Sequence, residues 1–288
     1  MTTWENWTLA HEGLIRLGGF VGALVAMGLW ETLAPARRPT LSRLSHWANN
    51  LGLVLLNGLL LKLLLPVTAL GAALFAQRHG WGLFNHFAAP PWLALLASVV
   101  IMDLVIWLQH VMVHAVPVLW RLHRVHHADP DYDVTTGVRF HPLEILLSMG
   151  IKIATVLLLG PPLLAVVAFE VLLNVMAMFN HGNVRLPARL DRVLRWLLVT
   201  PDMHRVHHSV ADDEANSNFG FNLSWWDRLF GTYRDQPRDG HLGMRIGIRK
   251  FRDPRTVSWL PGMLLLPFRG GISGYVINRR EWEDRQDG

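Results

Sequence analysis

The chain has 288 residues, of which 51% are hydrophobic and only 17% charged, against roughly 25% charged in a soluble domain. There is no cysteine, which excludes disulfide scaffolds, thiolate zinc sites, iron–sulfur clusters and cysteine nucleophiles. The formal net charge is +5, and 17 of the 27 basic residues lie from Arg185 onward; beside the apolar runs below, that asymmetry points to the anionic face of a membrane rather than to nucleic acid.

The first 13 residues contain no basic segment and the following apolar run has no small-residue cleavage site, so this end does not read as a secretory signal. Four apolar stretches follow, at residues 14–33, 51–76, 92–116 and 145–179. About 20 apolar residues cross a bilayer. The pattern predicts three full spans and one helical hairpin turning at Gly160-Pro161-Pro162, whose arms cross incompletely. Pro90 and Pro91 open the third span, where proline suits a first helical turn. The loops at 34–50 and 117–144 each carry three arginines, the loop at 77–91 one and the 160–162 turn none. The positive-inside rule therefore puts the N-terminus outside and residues 34–50, 117–144 and the last hundred in the cytoplasm. Residues 259–268 are apolar but short and interrupted by Pro261 and Pro267, which suits an interfacial segment. Lys62 and Asp103 each lie about 11 residues from the cytoplasmic end of their span, so depth matching predicts a Lys62–Asp103 pair.

Histidine carries the chemistry. Fifteen are present. Eight fall in three groups: His110 and His114, then His123, His126 and His127, then His204, His207 and His208. The last two groups share the pentapeptide His-Arg-Val-His-His. At helical spacing i, i+3 and i+4 project from one face, so each pentapeptide is expected to offer its imidazoles to a single point. Eight nitrogens exceed what one tetrahedral ion uses, and imidazole without thiolate or dense carboxylate suits iron, zinc, copper or nickel. Ligating histidines need their second ring nitrogen held. Asp202 and Asp227 are nearest in sequence for this, with Glu144 behind them, while Asp103 shares a helix face with His110. The pair Trp225-Trp226 reads as interfacial anchoring. A membrane metal transporter or sensor is the rival reading, but transport sites lie near the midplane between spans, whereas these histidines fall at span ends.

Over roughly residues 90–235 the sequence resembles the fatty acid hydroxylase and sterol desaturase superfamily of membrane di-iron enzymes. The resemblance rests on the three histidine groups in order with an apolar hairpin before the last. Supporting stretches are Arg139-Phe140-His141-Pro142-Leu143-Glu144, Asn180-His181-Gly182-Asn183, Asn218-Phe219-Gly220 and Trp226–Thr232. It implies an all-α integral membrane bundle with a cytoplasmic histidine-rich di-metal cap. The expected divisions are N-terminal membrane helices at 1–91, the catalytic unit at 92–235 with its hairpin at 145–180, and a cytoplasmic or interfacial tail at 236–288. It further implies two iron ions, O2 as oxidant and a separate electron donor of ferredoxin or cytochrome b5 type. No His-Pro-Gly-Gly stretch occurs, so no fused haem domain is expected. His181 matches a ligand position, while Ala177 stands where some relatives have another, giving an expected nine ligands. His141 lies in a stretch shared by many relatives and is a further candidate near the metals. The implied activity is hydroxylation of a lipid C–H bond, with sterol-type desaturation as the alternative; the predominance of Arg over Lys and the compact architecture point to a bacterial inner membrane.

Overall fold

The computed structural model describes residues 3–87 and 89–270 and is all-helical, with only isolated β-bridges among those residues. The first helices are the short α1 (Thr3–Ala10), the long α2 (Glu12–Leu33) and α3 (Arg43–Leu64), α4 (Ala69–His79), the single turn α5 (Leu83–His86) and the long α6 (Pro91–Ala115). After α7 (Pro117–His127) come α8 (Pro142–Leu159) and α9 (Leu163–Asn180), then α10 (Ala188–Leu194) and α11 (Pro201–His207). Five segments, Glu12–Leu33, Arg43–His86, Pro91–Ala115, Pro142–Leu159 and Leu163–Asn180, are long and apolar enough to cross a membrane. Their outer faces stay apolar and uncovered, as with Leu33, Leu55 and Leu158, which is what a lipid-facing surface requires. The chain is a multi-pass membrane protein.

Two expectations about these segments change, the first being incomplete crossing by the hairpin: its arms, α8 and α9, are each long and apolar enough to span. The apolar run at 51–76 is not one helix: α3 ends at Leu64 and α4 begins after Thr68, whose side chain accepts from Gly71 N. Pro66 explains the break, because it lacks an N–H and restricts the residue before it. The hairpin turns at Gly160 as expected, where φ of +57° and the backbone of Trp81 and Gly82 leave no room for a Cβ. Its arms are nevertheless splayed. α9 packs chiefly on α2 and α6, while α8 packs on α4 and α3. Ala69, Ala72, Ala73 and Ala76 make α4 thin enough to wedge between them.

At the histidine end, polar groups lock the spans to the intervening loops. Glu31 of α2 accepts from the backbone N–H of Val134 at 2.7 Å and of Asn183 at 2.6 Å. His46 of α3 bridges Asp129 and Asp133 at 2.8 and 3.0 Å. These groups are buried, and fixed partners are what make such burial tolerable. Beyond α11, the segment at 254–268 folds back under α7. Met263 and Leu266 are fully buried there while Trp259 and Phe268 stay exposed, the amphipathic distribution expected of an interfacial segment.

The Lys62–Asp103 pair does not form. Lys62 is exposed near the end of α3. Asp103, 1% exposed, accepts instead from Asn222 N, Leu223 N and Trp226 Nε1 at 3.3, 3.2 and 2.8 Å. Trp226 is thus a buried-side donor, and Trp225 the more exposed of that pair. Besides Arg43–Glu31 at the histidine end, at 3.1 Å, the charges that meet between spans among the described residues include Arg16, Glu170 and Lys152, with Arg16–Glu170 at 2.5 Å and Lys152–Glu170 at 3.0 Å. Lys152 and Glu170 each lie ten residues from the histidine end of their helix, about 15 Å down.

Candidate metal centre

The site is built at four helix ends. His110 and His114 lie on the last turns of α6. A single extended residue, Val116, then lets Pro117 start α7, which carries His123, His126 and His127. His181 caps the C-terminus of α9. Thr200 caps α11 by accepting from Met203 N, Pro201 fills its first position, and His204, His207 and His208 follow. All nine imidazoles are 2% exposed or less.

They form two groups of potential ligand atoms, each within 4.8 Å of one another: His110, His114, His123, His127 and His207 in one, and His126, His181, His204 and His208 in the other. The expectation that each pentapeptide serves one point is therefore corrected. With about 3.6 residues per turn, i and i+4 are only about 40° apart, whereas i+3 and i+4 are about 100° apart. Each i, i+4 pair stays on one group, and His126 and His207 cross to the other. The two pentapeptides interlock as a result.

Hydrogen bonds fix which ring nitrogen is free. In the five-histidine group, Nδ1 of His110 donates to Phe219 O at 2.7 Å, of His207 to Ser217 O at 2.7 Å, of His114 to Asn216 Oδ1 at 3.3 Å and of His123 to Glu144 Oε1 at 2.6 Å. Each Nε2 is then an unprotonated lone pair. Nε2 of His110 and His123 face each other at 3.1 Å, as do those of His114 and His127. His207 Nε2 is buried with no partner. Converging lone pairs repel unless a cation lies among them, so this donor set fits a metal ion. In the second group His181 Nδ1 donates to Ala177 O and Asn180 Oδ1 at 2.7 and 2.6 Å, while Nδ1 of His126, His204 and His208 have no partner. Its Nε2 atoms converge likewise, His181 lying 3.1 Å from His126 and 3.2 Å from His208.

Burial, reinforced by the neighbouring imidazoles, depresses the basicity of His126, His127, His204, His207 and His208 well below the ordinary histidine range. Burial pushes His181 down to about 3. These rings are neutral at physiological pH, the form a metal takes.

The other sequence candidates fall outside direct contact with the rings, except Glu144. His141 is the N-cap of α8, accepting from Leu143 N at 3.2 Å, with Nε2 near Leu264 O; the helix start imposed by Pro142 uses it as a cap. Asp202 binds Arg205 and flanks Arg185 and His241, because α11 points it away from the rings. Asp227 and Asp103 act at one remove. Asp227 accepts from Phe219 N, Gly220 N, Trp107 Nε1 and Thr232 Oγ1, and Asp103 holds the next residues, so the carbonyl of Phe219 is fixed under His110. Between the carbonyls of Ser217 and Phe219 sits Asn218, at a left-handed φ of 51°. Its amide donates to Met203 O at 2.9 Å and accepts from Arg234 N at 2.8 Å, which stabilises the strained backbone.

Sequence reasoning missed the role of the pentapeptide arginines. Arg124 and Arg205 are both fully buried. Arg124 donates to Leu266 O at 2.5 Å and Arg205 to Val184 O at 2.8 Å, so each fastens its histidine helix to a neighbouring segment. The repetition of the whole pentapeptide was the available signal.

A cavity of about 340 Å³ adjoins the centre, reaching His110, His123, Phe140, Ala177 and Phe221. Phe140 stacks on His126 at 4.6 Å and 15°. The two rings the cavity reaches, His110 and His123, both belong to the five-histidine group, and the small side chain of Ala177 forms part of its wall. α2 and α3 meet at their histidine ends, where Trp47 packs on Gly28, but pack scarcely at all below.

Comparison with known proteins places this architecture. Residues 94–232 match the fatty acid hydroxylase family. The chain is 26% identical to the ornithine lipid hydroxylase OlsE of Rhizobium tropici, over 79% of this chain and 69% of that protein. It is 30% identical to an alkylglycerol monooxygenase of Xenopus tropicalis over 49% of this chain, which spans only 31% of that relative. Human cholesterol 25-hydroxylase is 27% identical over 49% of this chain and 51% of its own length. No solved structure matches. The three histidine groups and His181 all lie inside the region that matches the fatty acid hydroxylase family, a family of metal-dependent oxygenases, with the membrane-spanning segments around them.

Proposed function

We propose that this protein is a membrane-bound, two-metal oxygenase that hydroxylates a lipid C–H bond. The observation that carries this is the pair of buried imidazole groups, with free Nε2 lone pairs, at the end of a largely apolar cavity within the spans. Named relatives act on an ornithine lipid, an alkylglycerol and cholesterol, which supports a lipid substrate. His110, His114, His123, His127 and His207 would hold one ion, and His126, His181, His204 and His208 the other. Two iron ions would supply activation of O2, the redox capacity that an unactivated C–H bond requires and side chains lack. The protein's residues do the rest. Glu144 and the carbonyls of Ser217 and Phe219 orient the rings, Phe140 and Phe221 shield them from water, and Ala177 leaves the approach from the cavity. The scarcely packed seam between α2 and α3 gives a lipid a route from the bilayer. Electrons come from a separate ferredoxin or cytochrome b5 type protein, for which the basic histidine face suits an acidic partner. That face is cytoplasmic in this reading, and the membrane is a bacterial inner membrane. The histidines lie at helix ends rather than at the midplane, which weighs against a transporter.

The test is purified protein in nanodiscs, assayed for metal and for lipid products under isotopically heavy O2 with a reductant. Two irons per chain and a hydroxylated lipid carrying the heavy label are expected. Product without label, or full metal and turnover in His207→Ala, overturns the assignment.

A further inference from the structure

The cavity beside the histidines is not an acyl slot along its whole length. Its far end is closed by Arg16 of α2, Lys152 of α8 and Glu170 of α9. Glu170 is almost fully buried between the two cations, and Glu12 pairs with Arg16 on the outer side at 2.8 Å. Within the wall, Asn57 is 7% exposed; its amide donates to Phe140 O at 2.9 Å, and its Oδ1 is buried with no partner. Gln109 Oε1, also in the wall, is likewise without one.

Two physical consequences follow from these groups. Unpartnered acceptors in a dry wall call for a ligand bearing O–H or N–H donors. The charges Glu12, Arg16, Lys152 and Glu170 sum to zero. Ion pairs at this depth exchange partners with a net-neutral group without leaving a buried charge uncompensated, whereas a net-charged group leaves one. The length of the cavity adds a third limit. From Glu144 to Lys152 on α8, and from Ala177 to Glu170 on α9, it extends only about 10–12 Å, too short to swallow a membrane acyl chain.

Resting on the lipid-oxygenase reading above, we propose that the cavity takes the polar end of its lipid: a net-neutral head group rich in hydrogen-bond donors, zwitterionic or polyhydroxylated. Asn57, Gln109 and the Arg16–Glu170–Lys152 cluster recognise it. The carbon presented to the histidines then lies close to the head group, within about 12 Å of the charged cluster, while the tails remain in the bilayer through the seam between α2 and α3. The alternative, a cluster that only clamps α2, α8 and α9 together, predicts no ligand selectivity.

Binding to the full-length protein in detergent tests this directly, using four probes of similar chain length: a zwitterionic amino-acid lipid, a 1-O-alkylglycerol, a saturated fatty acid anion and an alkane. The first two should bind about tenfold more tightly than the last two, a difference of about 1.4 kcal/mol. Glu170→Gln gives the cluster a net positive charge, so the fatty acid should gain about tenfold and the zwitterion lose as much. The double variant Lys152→Met/Glu170→Leu keeps neutrality and packing volume and should bind all four probes alike, which covers the case in which Glu170→Gln fails to fold. An unchanged rank order in these variants, or fatty acid binding as tight as the zwitterion in the wild type, overturns the proposal. Products of the metal-loaded wild type on a total lipid extract separate the two readings. No oxidised lipid defeats the oxygenase reading, whereas oxidised lipid without variant-dependent selectivity defeats only the head-group cavity.

Discussion

Glu144 is the only carboxylate that touches a ring of the centre among the described residues, at 2.6 Å from His123 Nδ1. Removing such a partner commonly costs 10–100-fold in metal affinity. Glu144→Ala should therefore weaken metal binding by about 10–100-fold in a chelator competition with the fold retained, whereas Asp202→Ala, which breaks contacts with Arg205, Arg185 and His241 but none with a ring of the centre, should leave metal affinity unchanged. Equal losses in the two variants would reject this division. The pH response also belongs to single residues. Burial holds His181 at about 3 and the exposed pentapeptide rings of an unfolded chain titrate near their ordinary 6.5. A group with a depressed native pKa has its full stability above the unfolded value, and loses it as the unfolded state gains protons that the native state refuses. Metal-free protein should then lose thermal stability steadily as pH falls below about 6.5 and continue losing it toward about 3. A melting temperature flat from pH 7 to 5 would contradict the neutral, buried rings.

Helices and straps set the difference between the two histidine groups. Four rings of the five-histidine group have Nδ1 tied to protein acceptors on the 216–219 strap or on α8, while only His181 is tied in the other. Tied rings lose less freedom on binding and are the better ligands. Stepwise chelation should therefore remove one metal equivalent well before the second. His126→Ala and His204→Ala should each lose one equivalent, with the retained ion in the five-histidine group by spectroscopy. Simultaneous loss of both would show that the interlocked pentapeptides form one cooperative unit. The hairpin turn gives a stability prediction at the same scale. A Cβ at Gly160 would lie 2.4 Å from Trp81 O, so Gly160→Ala should destabilise by about 1–3 kcal/mol, read as a lowered melting temperature with metal content intact.

For the whole molecule, the bundle is a frame whose histidine end is polar and locked, with a scarcely packed seam between α2 and α3 below it. The buried bridges from Glu31 and His46 couple the first two spans to the loops after α7 and α9. Membrane insertion and metal-site geometry are thus linked. His46→Leu leaves Asp129 and Asp133 without their bridging donor, an uncompensated buried charge that typically costs about 3–5 kcal/mol. Its expected phenotype is reduced metal occupancy together with reduced stability, although His46 is no ligand. Full metal occupancy in His46→Leu would uncouple frame and site. Orientation is tested with a reporter on the 34–42 loop, which should be active in its cytoplasmic form; the C-terminal tail beyond residue 270, where the sequence also places the chain in the cytoplasm, lies outside the described residues.

Composition and spacing alone determined that the chain is helical, membrane-embedded and histidine-rich at span ends, because apolar length and i, i+4 periodicity are local properties that the sequence writes directly. They also marked the hairpin turn, since glycine and proline act on their own backbone. Only the tertiary structure decided which ring joins which group, because a 100° difference along one helix becomes a choice of partner only when a second helix faces it. It alone replaced Lys62–Asp103 by Lys152–Glu170, chose Glu144 over Asp202, and gave Asp227 and Asp103 the strap rather than a ring. Apart from the bonds of Asp227 to its own strap, those are contacts between residues 18 to 123 apart, and no local pattern encodes which buried donor a carboxylate finds once several lie at the same depth.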